Sequence, residues 1–345
     1  MNPMVWSLLI TSLVMSTIIT MSSHHWLLAW LGLELNTMSA LPIIMKSHHP
    51  RAIEAATKYF LIQTPAAALI LFASTVNAWQ VGHWSITQTT TPTTTTIITI
   101  ALLMKLGLAP MHAWYPEVLQ GSTLNTAMII STWQKLAPLT LLYSMNNNLP
   151  TNIILALGLT SALVGGWAGL NQTQTRKIMA YSSIAHMGWL STMLTLNLNI
   201  TTLTLTTYII MTMTMFMMLN MTTTKTLTDL GTIWSQSPSI TTMMMLTLMS
   251  LGGLPPLTGF TPKWLILDTL CQMKLLLLST ILMMASLPSL FFYIRMAYFT
   301  TLTTPPTTTN TQQKWRFKTQ LPKGLTTTTT CSALLLPLLP LMTTM

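Results

Sequence analysis

Long apolar runs separated by short polar links extend along the whole chain. A membrane span needs about 20 apolar residues, and hydropathy together with helix breakers predicts about eleven of them. They fall near residues 3–22, 25–45, 54–77, 93–119, 122–145, 149–170, 178–195, 199–221, 239–271, 275–299 and 325–344. The run at 239–271 would reach roughly 50 Å as one helix, against a hydrocarbon core of about 30 Å. Gly252-Gly253-Leu254-Pro255-Pro256 and Gly259 interrupt it, so it reads as one broken span. Leu106-Gly107-Leu108-Ala109-Pro110 interrupts the run at 93–119 in the same manner. Gly and Pro both oppose a regular helix at that depth.

The two broken spans are the fourth and the ninth. An odd offset turns the second unit upside down relative to the first, and paired interrupted segments of this kind point to a transporter's central site. The pattern predicts a single domain over residues 1–345, with approximate inverted five-helix repeats at 1–145 and 149–299 and a C-terminal helix at 325–344. Chance recurrence of Gly and Pro is the competing explanation.

Composition narrows the class. Of 345 residues 50% are hydrophobic and only 6% charged, whereas a soluble domain carries about 25% charge. So few charges cannot cover a soluble surface this large, and the segments are too long for barrel strands. The fold class is therefore all-α and polytopic, in a membrane. The net charge of +10 sits mostly in the links. With eleven crossings, Lys46, Arg51, Arg176, Lys177, Lys225, Arg295, Lys314, Arg316, Lys318 and Lys323 share the N-terminal side, and Lys274 alone lies opposite. That asymmetry is what the positive-inside rule expects. It assigns the N-terminus to the positive side and the C-terminus to the other. Gln313-Lys314-Trp315-Arg316-Phe317-Lys318 then reads as an interfacial anchor, with no nucleic-acid partner. No basic leader with a cleavage site precedes the first apolar run.

Four ionisable groups lie deep within spans: Glu34, Lys105, Lys135 and Lys263. A charge at bilayer depth costs roughly 2.5–3.5 kcal/mol on insertion scales, so such groups are functional candidates by default. A buried lysine with a movable counter-charge can exchange its proton near neutral pH, as arginine cannot. One carboxylate with several lysines reads as a row of coupled proton sites. The bland alternatives are a structural ion pair for Glu34 and snorkelling stems for the lysines. His112, His186 and Lys58 are secondary relay candidates. His186 equally fits a satisfied helix hydrogen bond, and Lys58 can pair with Glu54 four residues away. Asp268 falls near the boundary opposite the positive side, where interface solvation suffices. Cys271 and Cys331 lie in apolar surroundings and read as buried, inert thiols. No dinucleotide fingerprint, P-loop, CxxC cluster or HExxH occurs, and haem ligation finds too few histidines. No cofactor or metal is expected in this chain.

Three stretches carry a resemblance: Lys105-Leu106-Gly107-Leu108-Ala109-Pro110-Met111-His112-Ala113-Trp114-Tyr115-Pro116-Glu117-Val118, Arg176-Lys177-Ile178-Met179-Ala180-Tyr181-Ser182-Ser183-Ile184-Ala185-His186-Met187-Gly188, and Gly252-Gly253-Leu254-Pro255-Pro256-Leu257-Thr258-Gly259-Phe260-Thr261-Pro262-Lys263-Trp264. With the segment around Glu34, they resemble the antiporter-like membrane subunits of respiratory complex I. The resemblance implies an antiporter-like fold and proton translocation from matrix to intermembrane space. It implies a Glu34–Lys105 pair near the uptake half-channel, a central site at Lys135 and a terminal one at Lys263. NADH, FMN, iron–sulfur clusters and ubiquinone would be bound by other subunits of the complex. Partners would be other membrane-arm and accessory subunits and lipids such as cardiolipin, in the mitochondrial inner membrane with the N-terminus in the matrix. A stand-alone sodium/proton antiporter and a structural arm subunit with a silent relay are the rival expectations.

Overall fold

The computed structural model describes residues 3–303, 322 and 324–338. Secondary structure is helical, with no strand among the described residues. Residues 313–318, 323 and 339–344, on which the basic anchor and the end of the last predicted span fall, lie outside them. Among the described residues, six helices are long and apolar enough to cross a membrane: Pro3–Ser22, Trp26–Ser47, Pro50–Val81, Thr151–Gly169, Leu198–Thr222 and Leu276–Thr301. The chain forms two compact units, one of Met1–Ser161 with Leu194–Leu198, the other of Ala162–Met193 with Asn199–Met345.

In the first unit, α1 (Pro3–Ser22) packs on α2 (Trp26–Ile44) by its small polar face. Leu13, Ser16, Thr17 and Thr20 are buried, whereas Met4, Leu8, Met15 and Ile18 face outward. This inverts the soluble pattern. Lipid is as apolar as leucine, so the contact is driven by close approach of small residues. A Cβ on Gly32 would come within 2.5 Å of Thr20 Cγ2. His25 caps α2 by accepting the Leu27 amide at 3.2 Å, and His49 does the same for α3 (Pro50–Val81) through Arg51. α3 has 32 residues, roughly 48 Å, more than the roughly 30 Å thickness of a hydrocarbon core. The first broken span consists of α4 (Pro92–Leu106) and α5 (Trp114–Gly121).

The next span, predicted as one regular helix, is divided. α6 (Leu124–Thr132) and α7 (Leu136–Ser144) are joined by a 3₁₀ turn, Trp133–Lys135. Pro138 is the physical reason: it has no N–H to offer, and its ring crowds the Gln134 carbonyl four residues back. α8 (Thr151–Gly169) follows.

In the second unit, the C-terminal end of α8 lies close to α9 (Thr175–Leu194) and α14 (Leu276–Thr301) through glycines. A Cβ on Gly165 would meet the Ala185 backbone nitrogen at 2.6 Å, and one on Gly166 the Ala285 carbonyl at 3.0 Å. Arg295 of α14 donates to the Leu170 carbonyl at 2.6 Å and to that of Gln172. α10 (Leu198–Thr222) leads to α11 (Leu227–Gln236), where the sequence predicts only a polar loop. Thr226 and Asp229 form a capping box there, and Leu227, Leu230 and Ile233 are buried beneath it. The second broken span is α12 (Pro238–Gly252) and α13 (Phe260–Gln272), and α15 (Leu325–Leu334) is the last described α-helix.

Both cysteines, expected buried, are exposed on the surface of this chain. An apolar sequence neighbourhood does not distinguish a core-facing from a lipid- or partner-facing position.

Candidate functional site

The two breaks share one local chemistry. Gly107 ends α4 with φ +76° and Gly253 ends α12 with φ +83°, the left-handed conformation that glycine adopts without a Cβ clash. Leu108 N donates to Leu103 O at 3.1 Å, and Leu254 N to Met249 O at 3.3 Å. Each glycine amide also donates back into the last turn, so both ends are Schellman motifs that satisfy otherwise orphaned carbonyls. A buried break is tolerated in the membrane because these groups are satisfied.

In the first unit the break opens onto a small cavity, lined among others by Asn36, Tyr59, Gln63, Lys105, Tyr115, Gln134 and Lys135. Lys105, in the last turn of α4, is 7% exposed, and Lys135, in the 3₁₀ turn, is 3% exposed. The Lys105 ammonium has no hydrogen-bond partner among the described residues, although the C-terminal end of α4 favours a cation there. Lys135 Nζ lies 5.0 Å from the centroid of the Tyr115 ring, a cation–π distance. Glu34 is half-buried one residue after the cavity-lining Leu33, and its Oε2 accepts from Thr37 Oγ1 at 3.1 Å. Glu34 and Lys105 form no ion pair within 4 Å, but the carboxylate's charge reaches Lys105 and Tyr59 through space.

The structure therefore brings Lys105 and Lys135 together, with Glu34 at the margin. It does not bring Lys58 or His112 into the cavity lining. Lys58 is bound between Glu54 and Glu117 on the outside, and His112 Nδ1 lies 3.1 Å from the Pro110 carbonyl within the break.

In the second unit Lys263 and His186 line one small cavity, with Thr204, Thr207 and Tyr208. Lys263 Nζ donates to the Gly252 carbonyl at 2.8 Å, placing an ammonium on the C-terminal end of α12. His186 Nδ1 lies 2.7 Å from the Ser182 carbonyl one turn back on its own helix, and its ring tilts on Tyr208 at 5.8 Å. Asp268 is exposed and accepts from Gln272.

Sequence reading missed the polar and aromatic lining. Asn36 and Gln63, both under 5% exposed, are amides inside predicted spans, and that was an available signal. Tyr59 and Tyr115 carry no such signal, since an aromatic ring in an apolar run ordinarily reads as packing.

A polytopic helical protein with two broken helices and lysines at both breaks is the architecture of an ion-translocating membrane subunit. Residues 23–289 match the family described as NADH:quinone oxidoreductase/Mrp antiporter, transmembrane, and residues 290–343 match NADH dehydrogenase subunit 2 C-terminus. The chain belongs to the former family. Among curated proteins, NADH-ubiquinone oxidoreductase chain 2 of Gallus gallus is 50% identical over 345 residues, covering 100% of both chains. That of Carassius auratus is 52% identical over 348 residues, covering 100% of this chain and 99% of the other. Among solved structures, a chain of respiratory complex I from Thermus thermophilus matches with a TM-score of 0.84 at 24% identity, covering 97% of this chain and 77% of that one. A chain of an archaeal membrane-bound sulfane sulfur reductase matches at 0.83 and 16% identity, covering 98% and 74%. At these identities the structural matches speak for the fold alone.

Proposed function

We infer that this chain is a proton-pumping membrane subunit of NADH:quinone oxidoreductase, the respiratory enzyme whose chain 2 its relatives are named for. It is a translocase component and works with other subunits of that complex, in the mitochondrial inner membrane. NADH, FMN, iron–sulfur clusters and ubiquinone belong to those other subunits, and cardiolipin is a fitting lipid for the basic links. Eleven crossings with the N-terminus on the positive side, which is the matrix in this family, are supported by the charge asymmetry of the links, and an inverted relation of the two broken spans by their odd offset in the chain.

One observation supports the mechanism: two buried lysines share one cavity beside a helix break, and a single carboxylate lies within electrostatic reach of one of them, Lys105. Two ammonium groups lining one cavity disfavour one another, so a proton on one lowers the proton affinity of the other. Glu34 shifts that balance toward Lys105 when charged and near. A change in the Glu34–Lys105 distance, driven by redox chemistry elsewhere in the complex, would move the proton to Lys135 and onward to the Lys263 site. Asn36, Gln63 and Gln134 supply the hydrogen-bonding walls that water between these groups requires.

Replacing Lys135→Met or Glu34→Gln is expected to cut NADH-driven pumping while the assembled complex persists. Pumping at the normal rate in both variants, measured in inner-membrane vesicles by a pH-sensitive dye, would sink the relay.

A further inference from the structure

We propose that Lys58 is a positioning residue for the cavity of Lys105 and Lys135: it fastens α5 to α3 so that the Tyr115 ring lies beneath the Lys135 ammonium. The inference rests on the lysine reading above. α5 runs antiparallel to the start of α3, and the two touch at three levels. Trp114 meets Tyr59 edge-on at 5.8 Å. One turn further, Lys58 Nζ is 2.7 Å from Glu117 Oε2 and also pairs with Glu54. At the end of α5, Gly121 lies on α3, where a Cβ would come 2.6 Å from the Arg51 carbonyl oxygen and 2.7 Å from Ala55 Cβ.

Of these contacts only the lysine clamp is charged and directional. α5 has eight residues, about two turns, and follows a break, so its register depends on what it packs against. Tyr115 is on α5, 1% exposed, and lines the cavity beside Lys135. A slide or roll of α5 along α3 would therefore carry the ring away from the ammonium it faces at 5.0 Å. Lys58 itself is not in the cavity; its side chain is 38% exposed, against 49% for Glu117 and 60% for Glu54.

A relay site must release its proton, whereas a clamp need only keep its charge. Arginine separates the two roles, because it keeps its charge and does not deprotonate. In assembled complex carrying the variant chain, Lys58→Met is expected to slow NADH-driven pumping by about tenfold, as small misplacements of a reacting group do. Lys58→Arg should recover most of that loss. Lys58→Glu combined with Glu117→Lys should recover what Lys58→Glu alone loses, both in assembly on a native gel and in pumping. The proposal is overturned if Lys58→Met pumps normally, if Lys58→Arg is as damaging as Lys58→Met, or if the reversed pair recovers neither property. Lys135→Met is measured alongside. Loss there with a normal Lys58→Met removes only the clamp, while a normal Lys135→Met removes the relay and the clamp with it.

Discussion

The two broken helices are alike in backbone and unlike in charge. Both end on a left-handed glycine followed by leucine, and both close with the same pair of amide-to-carbonyl bonds. Yet Lys105 lies before its break and has an unpartnered ammonium, whereas Lys263 lies after its break and reaches back to the Gly252 carbonyl. The first cavity has a second lysine and a carboxylate within electrostatic reach; among the described residues the second has a histidine instead. One local motif thus serves two electrostatic settings. The break makes room and exposes helix-end dipoles, and the tertiary surroundings decide whether a lysine there is unsatisfied or capped.

The largest expected effects come from removing each lysine in turn. Lys105→Met and Lys263→Met should both reduce pumping strongly, since one positioned proton-transfer group contributes about 10²–10⁴-fold. Their effects on stability should differ. Lys105→Met replaces a buried, unpartnered ammonium with an apolar chain of similar length, and should leave thermal stability unchanged or raised. Lys263→Met removes a charge-assisted bond worth about 1.5–3 kcal/mol and should lower it. Thermal unfolding of the solubilised complex, followed by loss of this chain from native gels, measures both. Equal destabilisation by the two variants would mean that the capped and uncapped settings are not distinct.

The glycines sharpen the same contrast at a smaller scale. Alanine at either position incurs a left-handed penalty of about 1–2 kcal/mol. At Gly107 its Cβ would be 3.4 Å from Trp114 and Tyr115, ordinary contact, but at Gly253 it would meet Lys263 Nζ at 2.9 Å and Cδ at 3.0 Å. Gly253→Ala should therefore displace the lysine from the Gly252 carbonyl and reduce pumping more than Gly107→Ala does at matched assembly. Equal pumping rates would argue that the Lys263–Gly252 bond is incidental.

The breaks were legible because their cause is local: Gly at a helix end and Pro shortly beyond are written in adjacent residues. The burial of Lys105 and Lys135 was legible for a similar reason, since position within an apolar run counts residues from its ends. What each lysine touches was not, because Tyr115 and the Gly252 carbonyl come from other elements. Lys58 shows the limit most clearly: Glu54, four residues away, was visible, whereas Glu117 on another helix was not. Two features had local signals that went unread. Pro138 predicts a disturbed helix at Gln134 and Lys135, and Thr226 with Asp229 is a capping-box signature. The orientation of Cys271 had no signal at all, because lipid and core are equally apolar.

The units also differ in what leads into each broken helix, and the smallest expected effect lies there. α4 follows a loop whose short 3₁₀ turn, Ile86–Gln88, has no side-chain cap, whereas α12 follows α11 with its capping box. The Asp229 carboxylate accepts the Thr226 amide at 2.9 Å and the Lys225 amide at 3.1 Å, and these bonds hold its pKa below the usual value. A depressed carboxylate pKa contributes stability that is complete above the unfolded value, about 3.9, and is lost as pH falls through the folded one. Hydrogen exchange of the α11 amides should therefore show protection unchanged from neutral pH to about 5 and weakening only below about 4. Thr226→Ala should lower that protection by about 1 kcal/mol, roughly fivefold, at neutral pH. Asp229→Asn should abolish the acid dependence while retaining part of the cap. Protection in Thr226→Ala equal to that of the parent chain would mean that packing of Leu227, Leu230 and Ile233 alone fixes α11, and that the two lead-ins differ in form but not in how firmly they are held.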